Sequence, residues 1–427
     1  MRHTIGGLAA LLLGAGLLLL GHGMLTTLLA VRGEIEGFGA LVIGAVGTTY
    51  YLGFFSGCVL LPPLMRRVGH IRMFSAAGAL VAAAALAQGL LPVPEVWLPV
   101  RYVTGFAMAT MFMAVESWLN VRATNATRGR IYSIYMLVNL GAAMLAQQGL
   151  RLAPPADVTL FAIAALLICL GLLPVTLTRS EQPPLPPKTR LDLWKLLRLS
   201  PMGAVGCFLS GMITSPFWAM APVYAQRLGH DLAETTLFMT AVIAGGTVMQ
   251  FPLGWLSDRV DRRTVLIGVF AMVAVVSGVM ALTLDLELRL WLVMGALFGG
   301  TAFCVNALSV SHVNDVMVNE DRIAISAGLL LLFGAGAVIG PMLAGFTMAW
   351  FGAGGMFGQI AVVALFGCVF AIIRRKARPA PPDEQKEPFV AASRSASPGL
   401  VLGPRAPEEA EPPGTDGPAS PKGDAGS

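Results

Sequence analysis

Charge is scarce in this chain. Asp, Glu, Lys and Arg together make up 12% of its 427 residues, roughly half the share carried by water-soluble globular proteins. A surface facing water does not tolerate that deficit, whereas hydrocarbon demands it. Cysteine is scarce too. Cys58, Cys169, Cys207, Cys304 and Cys368 all fall inside apolar runs, without the spacing of a zinc site or a disulfide framework, and read as small packing residues. No Walker phosphate loop is present, which argues against ATP-driven transport by this chain alone. Nor can paired acids, a His-rich cluster or a Ser/His/Asp set be assembled for a membrane-embedded enzyme. No cofactor and no metal are called for. The net charge of +5 is spread through short loops without interleaved aromatics, so nucleic acid is not an expected partner.

What the chain does have is apolar sequence in long blocks: 56% of its residues are hydrophobic and the mean hydropathy is +0.72. A span needs about 20 mostly apolar residues. That ruler predicts twelve spans, at roughly 8–31, 38–65, 73–91, 96–120, 131–150, 158–178, 201–225, 233–257, 264–284, 289–313, 323–349 and 353–373. The runs are too long for barrel strands and lack their period-two alternation. The first run exceeds a signal-peptide core and has no small-residue cleavage site, so it reads as span 1.

Alternate loops differ in basic charge. Arg2, Arg66, Arg67, Arg72, Arg122, Arg128, Arg130, Arg179, Lys188, Arg190, Lys195, Arg198, Arg259, Arg262, Arg263 and Arg322 lie on one side, sixteen residues against the four of the other, Arg32, Arg151, Arg227 and Arg289. The positive-inside rule makes the first side cytoplasmic, with both termini there. The expected organisation is a six-helix bundle over 1–178, a proline-bearing cytoplasmic linker over 179–200, and a second six-helix bundle over 201–375. A tail over 376–427, rich in Pro, Ala, Glu, Ser and Gly, is expected to be disordered.

The halves resemble each other at an offset of about 192–194 residues. Arg66 then falls on Asp258, Gly105 on Gly299, Ser117 on Ser311, Asn120 on Asn314 and Arg128 on Arg322. Parallel repeats of this kind place a solute site between the halves near the bilayer midplane. The segment Gly254-Trp-Leu-Ser-Asp258-Arg259-Val-Asp261-Arg262-Arg263, between spans 8 and 9, resembles the loop signature of the major facilitator superfamily. Arg101-Tyr-Val-Thr-Gly105 in span 4 resembles its second signature. Val115-Glu116-Ser117 with Arg128-Gly129-Arg130 and Tyr135-Met136, and Gly245-Gly246 with Gln250-Phe-Pro252, are similar to the YcaD-like bacterial branch.

The resemblance covers residues 1–375. It implies an all-α integral membrane fold of twelve transmembrane helices in two six-helix halves. It also implies secondary active transport of a small organic solute in a bacterial inner membrane, with the proton as the expected coupling ion. Because one chain already contains both halves of the cavity, a monomer is the expected working unit. In the family, the loop acid favours a helix N-terminus and steadies one gate state. Here Asp258 can do so, against the start of span 5, whereas Arg66 stands at the matching position of the first half. The two cytoplasmic gates are therefore expected to contribute unequally. Arg66, Arg67, Gly105, Glu116, Arg128, Arg130, Gly254, Asp258, Arg259, Arg262 and Arg263 make up the gate and loop set.

Ionisable residues inside a span are costly and point to function. Arg101 is a candidate for proton coupling or for holding an anionic group, against the alternative that it snorkels to the interface. Glu116, fifteen residues on, reads either as a proton carrier or as a gate ion pair with the basic 66–72 loop. His22, with Thr26 one turn later, can bind a proton or solute, or merely tie two helices together. Tyr135 and Asn139 in span 5, Thr214 and Trp218 around Pro216 in span 7, Gln250 in span 8 and Asn306 in span 10 complete the expected solute path. As a set they suit uncharged or moderately apolar solutes. Gly336-Ala-Val-Ile-Gly340-Pro341 reads as a packing and hinge element. A non-transporting sensor on the same scaffold is the competing function.

Overall fold

A computed structural model describes residues 2–122, 127–177, 193–316 and 322–377. Most of the 179–200 linker, the tail beyond 377, and the side chains of Asn120, Arg122, Arg128 and Arg322 lie outside the described part. Among the described residues the chain is helical, with no strand. The first half holds α1 (Arg2–Ile35), α2 (Ala40–Val68), α3 (His70–Leu90), α4 (Pro94–Arg122), α5 (Arg128–Gly149) and α6 (Thr159–Leu177). After a seven-residue helix, α7 (Leu193–Leu199), the second half holds α8 (Pro201–Arg227), α9 (Leu232–Arg259), α10 (Arg262–Leu282), α11 (Leu288–Asn314), α12 (Arg322–Phe351) and α13 (Gly355–Ala377).

Eleven of the long helices are apolar and long enough to cross a membrane. The twelfth, α5, is diluted by Tyr132, Tyr135, Asn139, Gln147 and Gln148, yet packs between α1 and α9. Helices are the form that meets every backbone hydrogen bond within one segment, as lipid requires. Several run past the predicted spans: α1 ends at Ile35 and α13 at Ala377, because hydropathy measures the hydrocarbon stretch and not the helical turns beyond it. The short α7 was not expected from hydropathy; it is held by Leu196, buried against Ala204, Cys207 and Leu329. Gly69, at φ 93, lets α2 and α3 join through a single residue, a conformation that a Cβ disfavours.

The internal repeat is physical. In the first half α2 crosses α4 backbone to backbone: a Cβ on Gly53 would stand 2.0 Å from the Tyr102 carbonyl oxygen, and one on Gly105 1.9 Å from that of Tyr50. The second half repeats this between α9 and α11, where Gly245 would meet the Ala296 oxygen at 2.0 Å and Gly299 the Val242 oxygen at 2.0 Å. Close approach of this kind is how helices associate where lipid supplies no hydrophobic drive. Gly336 and Gly340 of α12 likewise press on Phe208, Ser215 and Pro216 of α8, which makes that stretch a packing element. Gly105→Val is expected to cost at least about 3 kcal/mol, because a backbone carbonyl cannot rotate away. Gly268→Ala, with open space around its Cβ, should leave stability unchanged or slightly raised. Melting curves of the two detergent-solubilised variants check this.

Candidate functional site

The two faces of the bundle differ in charge: the basic face carries Arg66, Arg67, Arg259, Arg262 and Arg263, and the opposite one carries Arg227. On the Arg227 face the halves are joined. The Arg227 guanidinium donates to both oxygens of Glu34, at 2.8 and 3.2 Å. Arg151 donates to the Thr236 hydroxyl at 2.9 Å and the Ala233 carbonyl at 2.6 Å. Gln148 donates to Thr240 at 2.9 Å. The tightest part of the seal is α2 on α12: a Cβ on Gly44 would lie 2.5 Å from the Pro341 oxygen, and one on Gly345 2.6 Å from the Ala40 oxygen. Thr48 donates to the Val338 carbonyl at 3.0 Å, nearer the middle of both helices.

Where this seal ends, a cavity begins. It holds about 1190 Å³ of atom-free space with its mouth included, and both halves line it: α1, α2, α4 and α5 on one side, α8, α9, α11 and α12 on the other. Six sequence candidates meet on its wall: His22, Asn139, Thr214, Trp218, Gln250 and Asn306. Arg101 and Thr26 do not. They line a smaller cavity of about 330 Å³ on the Arg227 side, and Tyr50, Tyr51 and Trp218 face both spaces. Those three rings therefore form a septum.

Arg101 does not snorkel. It is 3% exposed, and its guanidinium carbon lies 4.5 Å from the centre of the Tyr50 ring, a desolvated cation–π contact of about 2 kcal/mol. The Tyr50 hydroxyl and His22 Nε2 share a hydrogen bond of 3.0 Å, with the rings stacked at 5.3 Å. Thr26 donates to the His22 carbonyl at 2.9 Å. A chain of polar groups thus runs from α4 through α2 to α1 and ends on the main cavity. Tyr135, expected on the solute path, lines neither cavity; its ring packs within the first-half core and is 1% exposed. Among the described residues no three His, Cys, Asp or Glu side chains gather as a metal site.

The sequence matches the profile described as Major Facilitator Superfamily over residues 11–317 and 204–406. The chain belongs to the Major Facilitator Superfamily. An uncharacterized MFS-type transporter of Enterobacter sp. (strain 638) is 26% identical over 376 residues, 87% of this chain and 96% of that protein. The uncharacterized MFS-type transporter YcaD of Escherichia fergusonii is 26% identical over 356 residues, 83% and 92% of the two chains. Among solved structures, the nucleoside transporter NupG aligns with a TM-score of 0.74 at 15% identity, covering 88% of this chain and all of the other. A bacterial homologue of the human lysosomal transporter Spinster, inward-facing and unoccupied, aligns at 0.69 and 15%, covering 88% and 99%. At such identity both show the facilitator fold alone.

The facilitator loop signature is built around Arg262, which is 2% exposed. It donates to Asp258 at 2.8 Å, to Asp315 at 2.9 Å and to the Ser311 carbonyl at 2.8 Å, tying α9, α10 and α11 together. Asp261 caps α10 by accepting from the Arg263 amide at 3.0 Å, and Arg259 lies over the Trp255 ring. Gly254 is buried on α9. Asp258 thus serves Arg262 within its own half; its expected neighbour at the start of α5, Arg128, has no described side chain. In the first half Arg66, Arg67 and Arg130 are exposed and Glu116 is buried. His70, 1% exposed, occupies the repeat position of Arg262. The ion network therefore has no like-charged copy at the matching positions. Arg262→Ala is expected to cost about 3–5 kcal/mol, because it takes a buried cation from Asp315; Arg262→Met with Asp315→Leu should recover most of it. Thermal unfolding of the solubilised protein reads both.

The wall also contains residues that sequence reasoning did not choose as site residues: Tyr50, Tyr51, Phe54, Phe112, Gln147, Phe303 and Phe333. One signal was available. Phe112 stands 194 residues before Asn306, so the repeat offset maps one lining position onto the other.

Proposed function

We propose that this protein is a proton-driven secondary transporter of a small organic solute, working by alternating access between two six-helix halves, 1–178 and 201–375. The linker 179–200 joins them, and the tail 376–427 follows. The observation that carries this reading is one cavity walled by both halves directly beneath a seal made between those halves. A rocking motion that opens the seal would expose the same cavity to the Arg227 face. The excess of Arg and Lys on the basic face supports a bacterial inner-membrane protein with both termini in the cytoplasm, and the described conformation is then closed to the outside. One chain supplies both walls, which supports a monomer as the working unit.

Proton coupling is assigned to Arg101, Tyr50 and His22. Among the described residues His22 is the one histidine on the main cavity, and none of the lining residues is Asp, Glu, Lys or Arg. The Tyr50 hydroxyl links it to the Arg101 side of the septum. The test compares solute levels inside and outside efflux-deficient bacteria expressing the protein, with and without an uncoupler. A solute that changes with expression and reverts under uncoupler is the expected result. No change across a broad panel, with the protein well expressed, would overturn transport in favour of a sensor.

A further inference from the structure

Gln147 has no task in the proton relay. It is fully buried in α5 and borders the main cavity, and its Nε2 and Oε1, both closed to water, meet no protein partner. An unbonded buried polar group costs about 1–3 kcal/mol, so a rotation that turns this amide into the cavity and onto a bound solute recovers stabilisation the protein alone leaves unused. Three more carboxamides share the wall: Asn139 on the same helix, Gln250 on α9 and Asn306 on α11. Asn306 is braced by Ser210, whose hydroxyl donates to its Oδ1 at 3.3 Å.

A carboxamide donates and accepts at once and so matches an edge that does the same. It does not offset the desolvation of a full charge; among the described residues no Asp, Glu, Lys or Arg lines the cavity to do so, and His22 already shares its Nε2 with the Tyr50 hydroxyl. The remaining wall is aromatic. Trp218 and Phe303 of the second half lie nearly parallel, 10° apart with centroids at 5.8 Å. Phe54 and Phe112 of the first half meet edge to face at 67°. Rings from both halves favour a flat ring between them.

We infer that the cavity binds an uncharged, planar heteroaromatic solute with both donors and acceptors on its edge, the simplest form being a ring carboxamide, and that Gln147 reads that edge. This rests on the transport reading only in taking the cavity as the solute path.

The test uses the purified full-length chain and a matched series by calorimetric titration: nicotinamide, its anionic analogue nicotinate, cationic 1-methylnicotinamide, and cyclohexanecarboxamide, which is neutral but not flat. Nicotinamide is expected to bind at least about tenfold more tightly than each of the others, and Gln147→Leu to remove about tenfold of that affinity. Since Gln147 makes no protein hydrogen bond and leucine removes an unbonded buried amide, the variant should melt at or above the wild-type temperature. Should it not fold, Gln147→Glu provides the second reading, and is expected to reverse the preference towards 1-methylnicotinamide.

Equal binding of nicotinate or 1-methylnicotinamide to wild type would overturn the neutral class, and equal binding of cyclohexanecarboxamide would overturn planarity. Unchanged affinity in the Gln147 variants would remove that residue's role. Absence of binding by the whole series, with some other solute still exchanged by proteoliposomes, would overturn this inference and leave transport standing. Binding of nicotinamide with no flux of any solute would do the reverse.

Discussion

Replacing Arg101 by alanine is expected to abolish proton-driven solute accumulation, with a loss of about a hundredfold or more in initial rate, roughly 3 kcal/mol at 1.4 kcal/mol per factor of ten. The reason is its place in the chain of contacts. Its guanidinium lies over Tyr50, and Tyr50 in turn holds His22, so the substitution leaves the septum without the charge that orients it. Folding should suffer little: a buried cation costs a few kcal/mol to insert, which offsets the roughly 2 kcal/mol of cation–π contact that is lost. Arg101→Lys keeps the charge but not the planar group and should fall between the two.

Tyr50→Phe separates the parts of this relay. It keeps the ring beneath Arg101 and removes the hydroxyl that meets His22. Solute counterflow should then persist while pH-driven accumulation disappears. Both rates are measured in proteoliposomes, with and without a pH gradient. Wild-type accumulation by Arg101→Ala would remove the relay from the mechanism.

Gly44→Leu is expected to hold the Arg227 face open. Its Cβ would stand 2.5 Å from the Pro341 carbonyl oxygen and 3.0 Å from the Gly345 Cα, and both are backbone atoms of the facing half. Closing over that contact costs at least about 3 kcal/mol, which depletes the closed state about a hundredfold. Turnover should fall by a similar factor while solute binding from the Arg227 face remains. The check is labelling of a cysteine at Thr48, whose hydroxyl bridges the seam to Val338, by a membrane-impermeant maleimide. Rapid labelling in the Gly44→Leu background and slow labelling without it is the expected outcome. Slow labelling together with wild-type transport would show that this seam does not open during the cycle.

The halves, their helices and the face that carries the charge follow from length, hydropathy and the distribution of Arg and Lys. The glycines at 105 and 299 were legible as a repeat, and the structure adds their partners, 53 and 245, because a helix crossing needs small residues on both sides. The site was legible in part. Mid-span polar residues are costly in lipid, so His22, Asn139, Gln250 and Asn306 stood out against their apolar neighbours and do converge. Tyr135 stood out for the same reason and does not, since being polar in a span does not say which neighbour it faces.

Hydropathy and charge are properties of one segment at a time, and a bilayer reads them one segment at a time; that much the sequence determined by itself. Which face of each helix turns inward was left to the tertiary structure. In water an apolar stripe marks the buried face, but here lipid and core are equally apolar, and α8 is buried nearly all round. The rotation of each helix is therefore decided by its neighbours, through close glycine contacts and the few polar groups they bring together. That is why the stacking of Arg101 on Tyr50, the septum it belongs to, and the unbonded amide of Gln147 beside the cavity emerge only once the helices are packed.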